Sequence, residues 1–259
     1  MFEQEQILEN PTVLICGYGI VGKNIKKDFP FAHTYDVYAK AFPDYTTPPD
    51  TTYDIAFISV PTPLKDNRCD TTYVKQVLST VNANIYVIKS TIPPETTNHL
   101  KIEFQKRIVF SPEYTGITHS SNAGNFVILG GDNKDVHIIR QLYEQVKGPE
   151  LYIYQCSSTE AEIIKYMENC FLGLKVVFCN QFKDIADLYG VSYDAIREGF
   201  ILDKRVGKSH TLVYDKYRGY DSKCLNKDIP AFITEVKERG MDSFIMEYVN
   251  EINNKIKAR

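Results

Sequence analysis

Pro11-Thr12-Val13-Leu14-Ile15-Cys16-Gly17-Tyr18-Gly19-Ile20-Val21-Gly22 decides the fold. The apolar run predicts a buried strand, and the G-x-G-x-x-G behind it predicts a tight turn into a helix that continues to about Phe29. Such a turn lets backbone approach a pyrophosphate at a helix amino end, where the dipole favours negative charge. Asp36 ends the next predicted strand, 19 residues after Gly17. That is close to the roughly 20 residues expected of a carboxylate that accepts hydrogen bonds from the adenosine ribose. Its charge repels a 2′-phosphate, so NAD is favoured over NADP. The plainer reading is a glycine turn beside an unrelated acid; strand, turn, helix and acid in this order favour the dinucleotide.

Outward from this unit, further strands are predicted at residues 33–37, 54–60, 84–88, 107–110 and 126–129, alternating with amphipathic stretches. That alternation is the pattern of a parallel sheet flanked by helices. The strands end in Gly17, Lys40, Pro61-Thr62-Pro63, Ser90-Thr91 and Ser111-Pro112-Glu113, at the carboxyl edge where open parallel sheets bind ligands. Residues 46–52 read as a loop. From Ser157 the pattern changes to one helix of about 30 residues. It reaches Gly190, tolerates Gly173 inside it, and has Thr159 and Glu162 at capping-box spacing. The expected fold is α/β: an N-terminal Rossmann-type parallel sheet over residues 1–155, then an all-helical dimerisation and central domain over 156–259. Apolar residues on more than one side of the long helix, among them Ile163, Met167, Phe171, Leu174 and Phe178, predict a homodimer through it.

At 259 residues and 43% hydrophobic the chain can bury a sizeable core. Thirty basic against 33 acidic residues, net charge −3, argue against nucleic acid as a partner. The six cysteines show no Cys-x-x-Cys spacing and the five histidines do not cluster with them, so neither a metal site nor a disulfide framework is indicated. Residues 1–6 lack the basic start of a secretory signal, and no apolar run approaches membrane-spanning length. A reducing, cytoplasmic location is expected.

Cys224 stands in Gly219-Tyr220-Asp221-Ser222-Lys223-Cys224-Leu225-Asn226-Lys227-Asp228. A thiol nucleophile together with a nucleotide cofactor points to oxidation through a covalent intermediate. A cysteine is more often a small core residue than a nucleophile. Lys165 and Asn169, four apart, project from one face of the long helix beside Glu162. An ammonium and an amide aimed at a pocket stabilise an oxyanion; the alternative is a solvated helix face.

Taken in order, Gly17-Tyr18-Gly19-Ile20-Val21-Gly22, Val60-Pro61-Thr62-Pro63, Ser90-Thr91-Ile92-Pro93-Pro94, Ser111-Pro112-Glu113-Tyr114, Glu160-Ala161-Glu162 with Lys165-Tyr166 and Asn169, Asp203-Lys204-Arg205-Val206-Gly207 and Cys224-Leu225-Asn226-Lys227-Asp228 resemble the UDP-glucose and GDP-mannose 6-dehydrogenase family. The resemblance implies that a nucleotide-sugar primary alcohol is oxidised to the carboxylate by two hydride transfers to NAD, with a cysteine thioester between them. By the same resemblance, Cys224 is the nucleophile, Lys165 and Asn169 stabilise oxyanions and contact substrate, and Asp228 with Thr91 handles the hydrolytic water. Glu113 assists hydrolysis and touches substrate. Gly17 to Gly22, Asp36, Val60, Pro61, Thr62, Ser90, Thr91 and Lys227 hold the cofactor, while Tyr220 and Arg205, the latter across a dimer, contact the sugar.

The chain departs from the family pattern in three places. Asp221-Ser222-Lys223 replaces the small, glycine-rich approach to the cysteine, and Ile117 stands where a second glutamate is usual. Only 35 residues follow Cys224, with Phe244, Ile245, Tyr248, Ile252 and Ile256 forming one side of a final amphipathic helix. A shortened member without the C-terminal nucleotide-sugar-binding domain is expected. The alternatives are a dehydrogenase for a smaller alcohol and a catalytically silent NAD-binding scaffold.

Overall fold

The computed structural model describes residues 10–38, 41–114 and 125–258. Its strands are β1 (Val13–Cys16), β2 (His33–Tyr35), β3 (Thr52–Ile58), β4 (Leu64–Lys65), β5 (Arg68–Cys69), β6 (Asn82–Ile88), β7 (Ile108–Phe110), β8 (Phe126–Gly130) and β9 (Tyr152–Cys156). Its helices are α1 (Ile20–Asp28), α2 (Thr72–Thr80), α3 (Thr96–Phe104), α4 (Asn133–Lys147), α5 (Ser158–Leu188), α6 (Tyr193–Phe200), α7 (Leu225–Glu238) and α8 (Phe244–Lys257). The chain forms two compact units: residues 1–63 with 70–165, and residues 64–69 with 166–259. The division falls within α5, and the β4–β5 hairpin belongs with the second unit.

The first unit is a seven-stranded sheet in the order β2-β1-β3-β6-β7-β8-β9. All neighbours are parallel except β7 and β8. Register pairs Cys16 with both Tyr35 and Ile58, Ile58 with Ile88, and Ile88 with Phe110. Five strands therefore stop in one row, and Gly17, Asp36, Ser59, Lys89 and Ser111 follow it along the carboxyl edge.

Strand residues alternate between two cores because successive side chains point to opposite faces. Leu14, Ala56, Ile58, Tyr86 and Ile88 pack with Val74 and Leu78 of α2, Leu100 of α3 and Ala161 at the start of α5. Ile15, Ile55, Phe57 and Val87 pack with Ile25 of α1 and Val136, Ile139 and Leu142 of α4. Most of these side chains are fully buried, and each large aliphatic one contributes about 1.5–3 kcal/mol.

The predicted 30-residue helix is α5, 31 residues long. Its capping box is Ser157 with Glu160, not Thr159 with Glu162: Ser157 N–H donates to Glu160 Oε2 at 2.7 Å, and Ser157 Oγ accepts from Glu160 N–H at 3.2 Å. Glu162 is diverted to another helix. Buried completely, it accepts from Glu95 N–H at 2.6 Å, Thr97 N–H at 2.8 Å and Thr97 Oγ1 at 2.6 Å, and so caps the amino end of α3.

In the second unit α5 packs against α7 and α8 through Val176, Val177, Leu225, Ile229, Val249 and Ile256. Gly173 leaves room at this contact, since a Cβ there would lie 2.5 Å from Ile229 Cδ1 and that terminal methyl would have to move. The unit is not wholly helical: the β4–β5 hairpin joins it, with the Arg68 guanidinium paired in a fork to the Glu238 carboxylate of α7. The apolar side expected of α8 splits. Val249, Asn253 and Ile256 face inward, whereas Phe244, Ile245 and Tyr248 stay 63–69% exposed. Ile245 and Ile256 lie within about 20° of each other around the helix, so the split runs along α8: the exposed apolar residues fall in its first five positions and the buried ones from Val249 onward.

Candidate active site

The candidate residues fall in both units. In the first unit the glycine turn is fixed sterically. Gly17 has φ +91°, and a Cβ on it would lie 2.7 Å from the Ser59 carbonyl oxygen; a Cβ on Gly22 would lie 2.0 Å from the Gly17 oxygen. No atom lies within 4 Å of the Cβ position at Gly19, which leaves that side of the turn open at the amino end of α1. Ser59, missed by the sequence reading, ties the turn down by donating from Oγ to the Gly17 carbonyl at 2.7 Å. Asp36 is held beside the turn, its Oδ2 accepting from Tyr18 N–H at 2.7 Å and its Oδ1 from Tyr38 N–H at 2.8 Å. An open glycine cradle, a helix amino end and a fixed carboxylate fit a dinucleotide.

Further along the edge, Ser90 Oγ donates to Val60 O at 2.6 Å and Thr62 Oγ1 donates to Thr91 O at 2.9 Å, knitting the ends of β3 and β6 together. Pro61, between them, is exposed. Lys89 is a buried ammonium that the sequence reading passed over, although a lysine closing an apolar strand was a visible signal. Its Nζ lies 3.4 Å from Ser111 Oγ, 3.5 Å from Pro112 O and 3.5 Å from Glu113 Oε2. It therefore holds the segment that carries Glu113. Burial opposes its charge, but attraction to Tyr143 and Glu113 outweighs this and leaves its pKa above the ordinary value. The next residue, Tyr114, offers its ring to Lys165, whose Nζ sits 4.5 Å from the ring centroid. Lys165 is 8% exposed, so a solvated helix face is excluded for it. Ile117 lies outside the described residues.

In the second unit Asn169, 5% exposed, donates from Nδ2 to Asp228 Oδ2 at 2.6 Å, and Lys227 Nζ pairs with Asp228 Oδ1. The expected cofactor lysine is thus engaged by the neighbouring carboxylate. Asp228 is 1% exposed and lies one turn into α7. Cys224 begins that turn: its carbonyl accepts from Asp228 N–H at 2.8 Å, and Ser222 Oγ accepts from Leu225 N–H at 3.1 Å. None of the six cysteines, all among the described residues, is in a disulfide, and Cys224 is the exposed one. Burial pushes the Cys170 thiol up to about 12 and Cys156 up to about 11, which makes both poor nucleophiles.

The two remaining expected substrate contacts stand in opposite settings. The Tyr220 ring is 3% exposed and packs in the second unit's core with Val177, Leu225 and Ile229, so it has no surface to offer a sugar. Its apolar ring is worth more to the core than to solvent. Arg205 is 89% exposed and forks onto Asp203, with Nη2 to Oδ2 at 2.6 Å.

A doubly wound sheet with this glycine cradle, followed by a helical unit bearing an exposed thiol, is the architecture of a two-domain nicotinamide-dinucleotide dehydrogenase. A UDP-glucose dehydrogenase structure from Pyrobaculum islandicum shares it at a TM-score of 0.81 over 98% of this chain and 70% of that one, with 21% identity. A Mycobacterium tuberculosis 3-hydroxyisobutyrate dehydrogenase shares it at 0.72 over 96% and 94%, with 15% identity. The chain belongs to the UDP-glucose/GDP-mannose dehydrogenase family: residues 40–147 match its NAD binding domain and residues 159–255 its central domain. The glycine turn lies ahead of the matched segment and rests on its geometry. The chain is 31% identical to a UDP-glucose 6-dehydrogenase of Rickettsia bellii over 77% of this chain and 49% of that one, and 29% identical to one of Bacillus subtilis over 78% and 46%. It spans about half the length of the curated relatives it matches.

Proposed function

We propose that this chain is an NAD-dependent 6-dehydrogenase that oxidises the primary alcohol of a nucleotide sugar, UDP-glucose-like, to the carboxylate through a thioester on Cys224. The observation that carries the reading is the cluster at the start of α7. An exposed thiol stands one turn ahead of a buried carboxylate that is already gripped by Asn169 at 2.6 Å and by Lys227.

When bound, NAD accepts one hydride in each of two oxidations. The protein's own groups handle the rest. The Cys224 thiolate adds to the carbon of the intermediate aldehyde. Hydride loss from that thiohemiacetal leaves a thioester, which water cleaves to the acid while the thiol is restored. Asn169 has a second amide N–H beyond the one spent on Asp228, and it serves the oxyanion with the Lys165 ammonium. Asp228, with Thr91, takes the proton of the hydrolytic water, and the Lys89-held Glu113 assists.

Six side chains of α5, Met167, Phe171, Leu174, Phe178, Phe182 and Ile185, remain 37–72% exposed at steps of 4, 3, 4, 4 and 3. These steps average 3.6 residues, the period of the helix itself, so the stripe runs parallel to the helix axis. An open groove of about 450 Å³ between α5 and α8, lined in part by Ile185, Leu188, Ile252 and Ile256, continues the apolar surface. A surface of this extent supports a homodimer through α5, in which Arg205 reaches the partner's substrate. No helix among the described residues is long and apolar enough to cross a membrane. Six cysteines with no disulfide among them support a reducing cytoplasm.

A dehydrogenase for a smaller alcohol is the second reading. It is favoured by the likeness to the 3-hydroxyisobutyrate dehydrogenase, 94% of whose chain is covered. Mixing protein, NAD and a panel of UDP-sugars, GDP-sugars and short hydroxy acids while following NADH separates the two. Protein that binds NAD yet turns over none of them would be a silent scaffold.

A further inference from the structure

The loop that delivers Cys224 is held by two buried asparagines from helices on either side of it in the chain. Asn253 of α8 is 1% exposed. Its Oδ1 accepts from Tyr220 N–H at 2.7 Å and its Nδ2 donates to Tyr220 O at 3.1 Å, so one amide satisfies both polar groups of one peptide residue. Asn180 of α5, also 1% exposed, accepts on Oδ1 from Gly219 N–H at 3.0 Å and from Arg218 Nε at 2.7 Å, and it donates from Nδ2 to Val176 O at 2.9 Å. Arg218 completes the clamp with Nη2 to Asp184 Oδ1 at 2.7 Å. Gly219 sits at φ +73°, and a Cβ there would lie 2.5 Å from Asn253 Oδ1. The left-handed turn and the approach of the amide therefore require the same glycine.

One residue separates this clamp from Ser222, whose Oγ accepts from Leu225 N–H at the start of α7. That residue, Asp221, is itself tied to Asn226 Nδ2 at 2.8 Å and to Lys257. The backbone is thus held at Gly219 and Tyr220 on one side of Asp221 and by the first turn of α7 on the other. We propose that Asn253, together with Asn180, is a positioning residue for Cys224: the amide pair sets where the first turn of α7 begins and hence where the sulfur stands. The proposal rests on the reading of Cys224 as nucleophile. A bidentate amide on an isolated peptide group is more than packing needs, because Val249 and Ile256 already anchor α8 to the core.

Asn253→Ala and Ile256→Ala test this as a pair, since both truncate a buried side chain on the same face of α8. Iodoacetamide alkylation of Cys224, read by peptide mass spectrometry, reports the thiol's placement without any need for turnover. A displacement of about 1 Å is expected to lower kcat about a hundredfold in Asn253→Ala with KM for NAD little changed. Alkylation should shift at least about fivefold, while Ile256→Ala moves both by less than about twofold at an equal loss of Tm. Equal effects in the two variants, or an unchanged alkylation rate in Asn253→Ala, overturn the proposal. Failure of the nucleophile reading has a different signature: a Cys224→Ser variant that still makes acid, with the alkylation contrast intact. Should Asn253→Ala not fold, hydrogen exchange in the unsubstituted protein decides. The Tyr220 amide is expected to exchange as slowly as the core of α7, and exchange at the rate of an open loop overturns the proposal.

Discussion

Asn169 Nδ2 and Asp228 Oδ2 meet at 2.6 Å between two buried side chains. The pair belongs to the frame of the site, and Cys224, exposed one turn away, does not contribute to it. Cys224→Ser is therefore expected to keep the Tm of the parent while carboxylate output falls by at least about a thousandfold. Product analysis alongside thermal melting checks both halves, and full acid output would remove the covalent mechanism.

Asp36 is pre-set by Tyr18 and Tyr38 N–H groups to accept ribose hydroxyls. Asp36→Ala should weaken NAD by about 1.5–3 kcal/mol, roughly ten- to a hundredfold in Kd. Titration calorimetry measures it. An unchanged Kd would mean that the ribose is read elsewhere.

Burial raises the Glu162 carboxyl from 4.5 to about 7, against the pull of Thr97 and Glu95 N–H groups. The folded chain thus holds this proton more tightly than the unfolded one. The associated stability is full below pH 4.5 and is lost as pH rises through 7. It amounts to roughly 3 kcal/mol. Urea midpoints from pH 5 to 8 should fall more steeply in the parent than in Glu162→Gln; parallel curves would contradict the shift.

Alanine is a better helix former than glycine by about 1 kcal/mol, yet Gly173→Ala should destabilise. Its Cβ would meet Ile229 Cδ1 at 2.5 Å, and overpacking of this kind costs about 1–3 kcal/mol. Ile229→Val deletes the clashing atom, so the double variant should be more stable than the sum of the single changes. A double-mutant cycle in urea tests this.

Phe178→Glu places a charge amid the exposed stripe of α5. Sedimentation is expected to show a monomer with unchanged circular dichroism. A dimer of parental strength would place the interface elsewhere.

Strands β1, β2, β3, β6, β7 and β8 were legible because each carries apolar residues with turn residues behind it. The misses have physical causes. β4 and β5 are two residues each, too short for periodicity, although Asp66 and Asn67 at φ 50° and 57° form the left-handed pair such a hairpin needs. β9 lies at the edge of the sheet with three of its five residues exposed, which dilutes its alternation. Ser157 and Thr159 each begin an S/T-x-x-E, and only the folded chain shows that Glu162 is claimed by α3. The pairing of Asn253 with Tyr220 joins residues 33 apart, and local spacing carries no trace of it.

Because Cys16, Tyr35, Ile58, Ile88 and Phe110 terminate in a common register, the cofactor ledge is defined by where strands stop and not by what joins them. Lengthening or trading the connections on the opposite rim should be harmless to dinucleotide affinity. A single-residue deletion inside β1 or β3, by contrast, would carry Gly17 or Ser59 out of line and unmake the ledge while most of the hydrophobic interior survived.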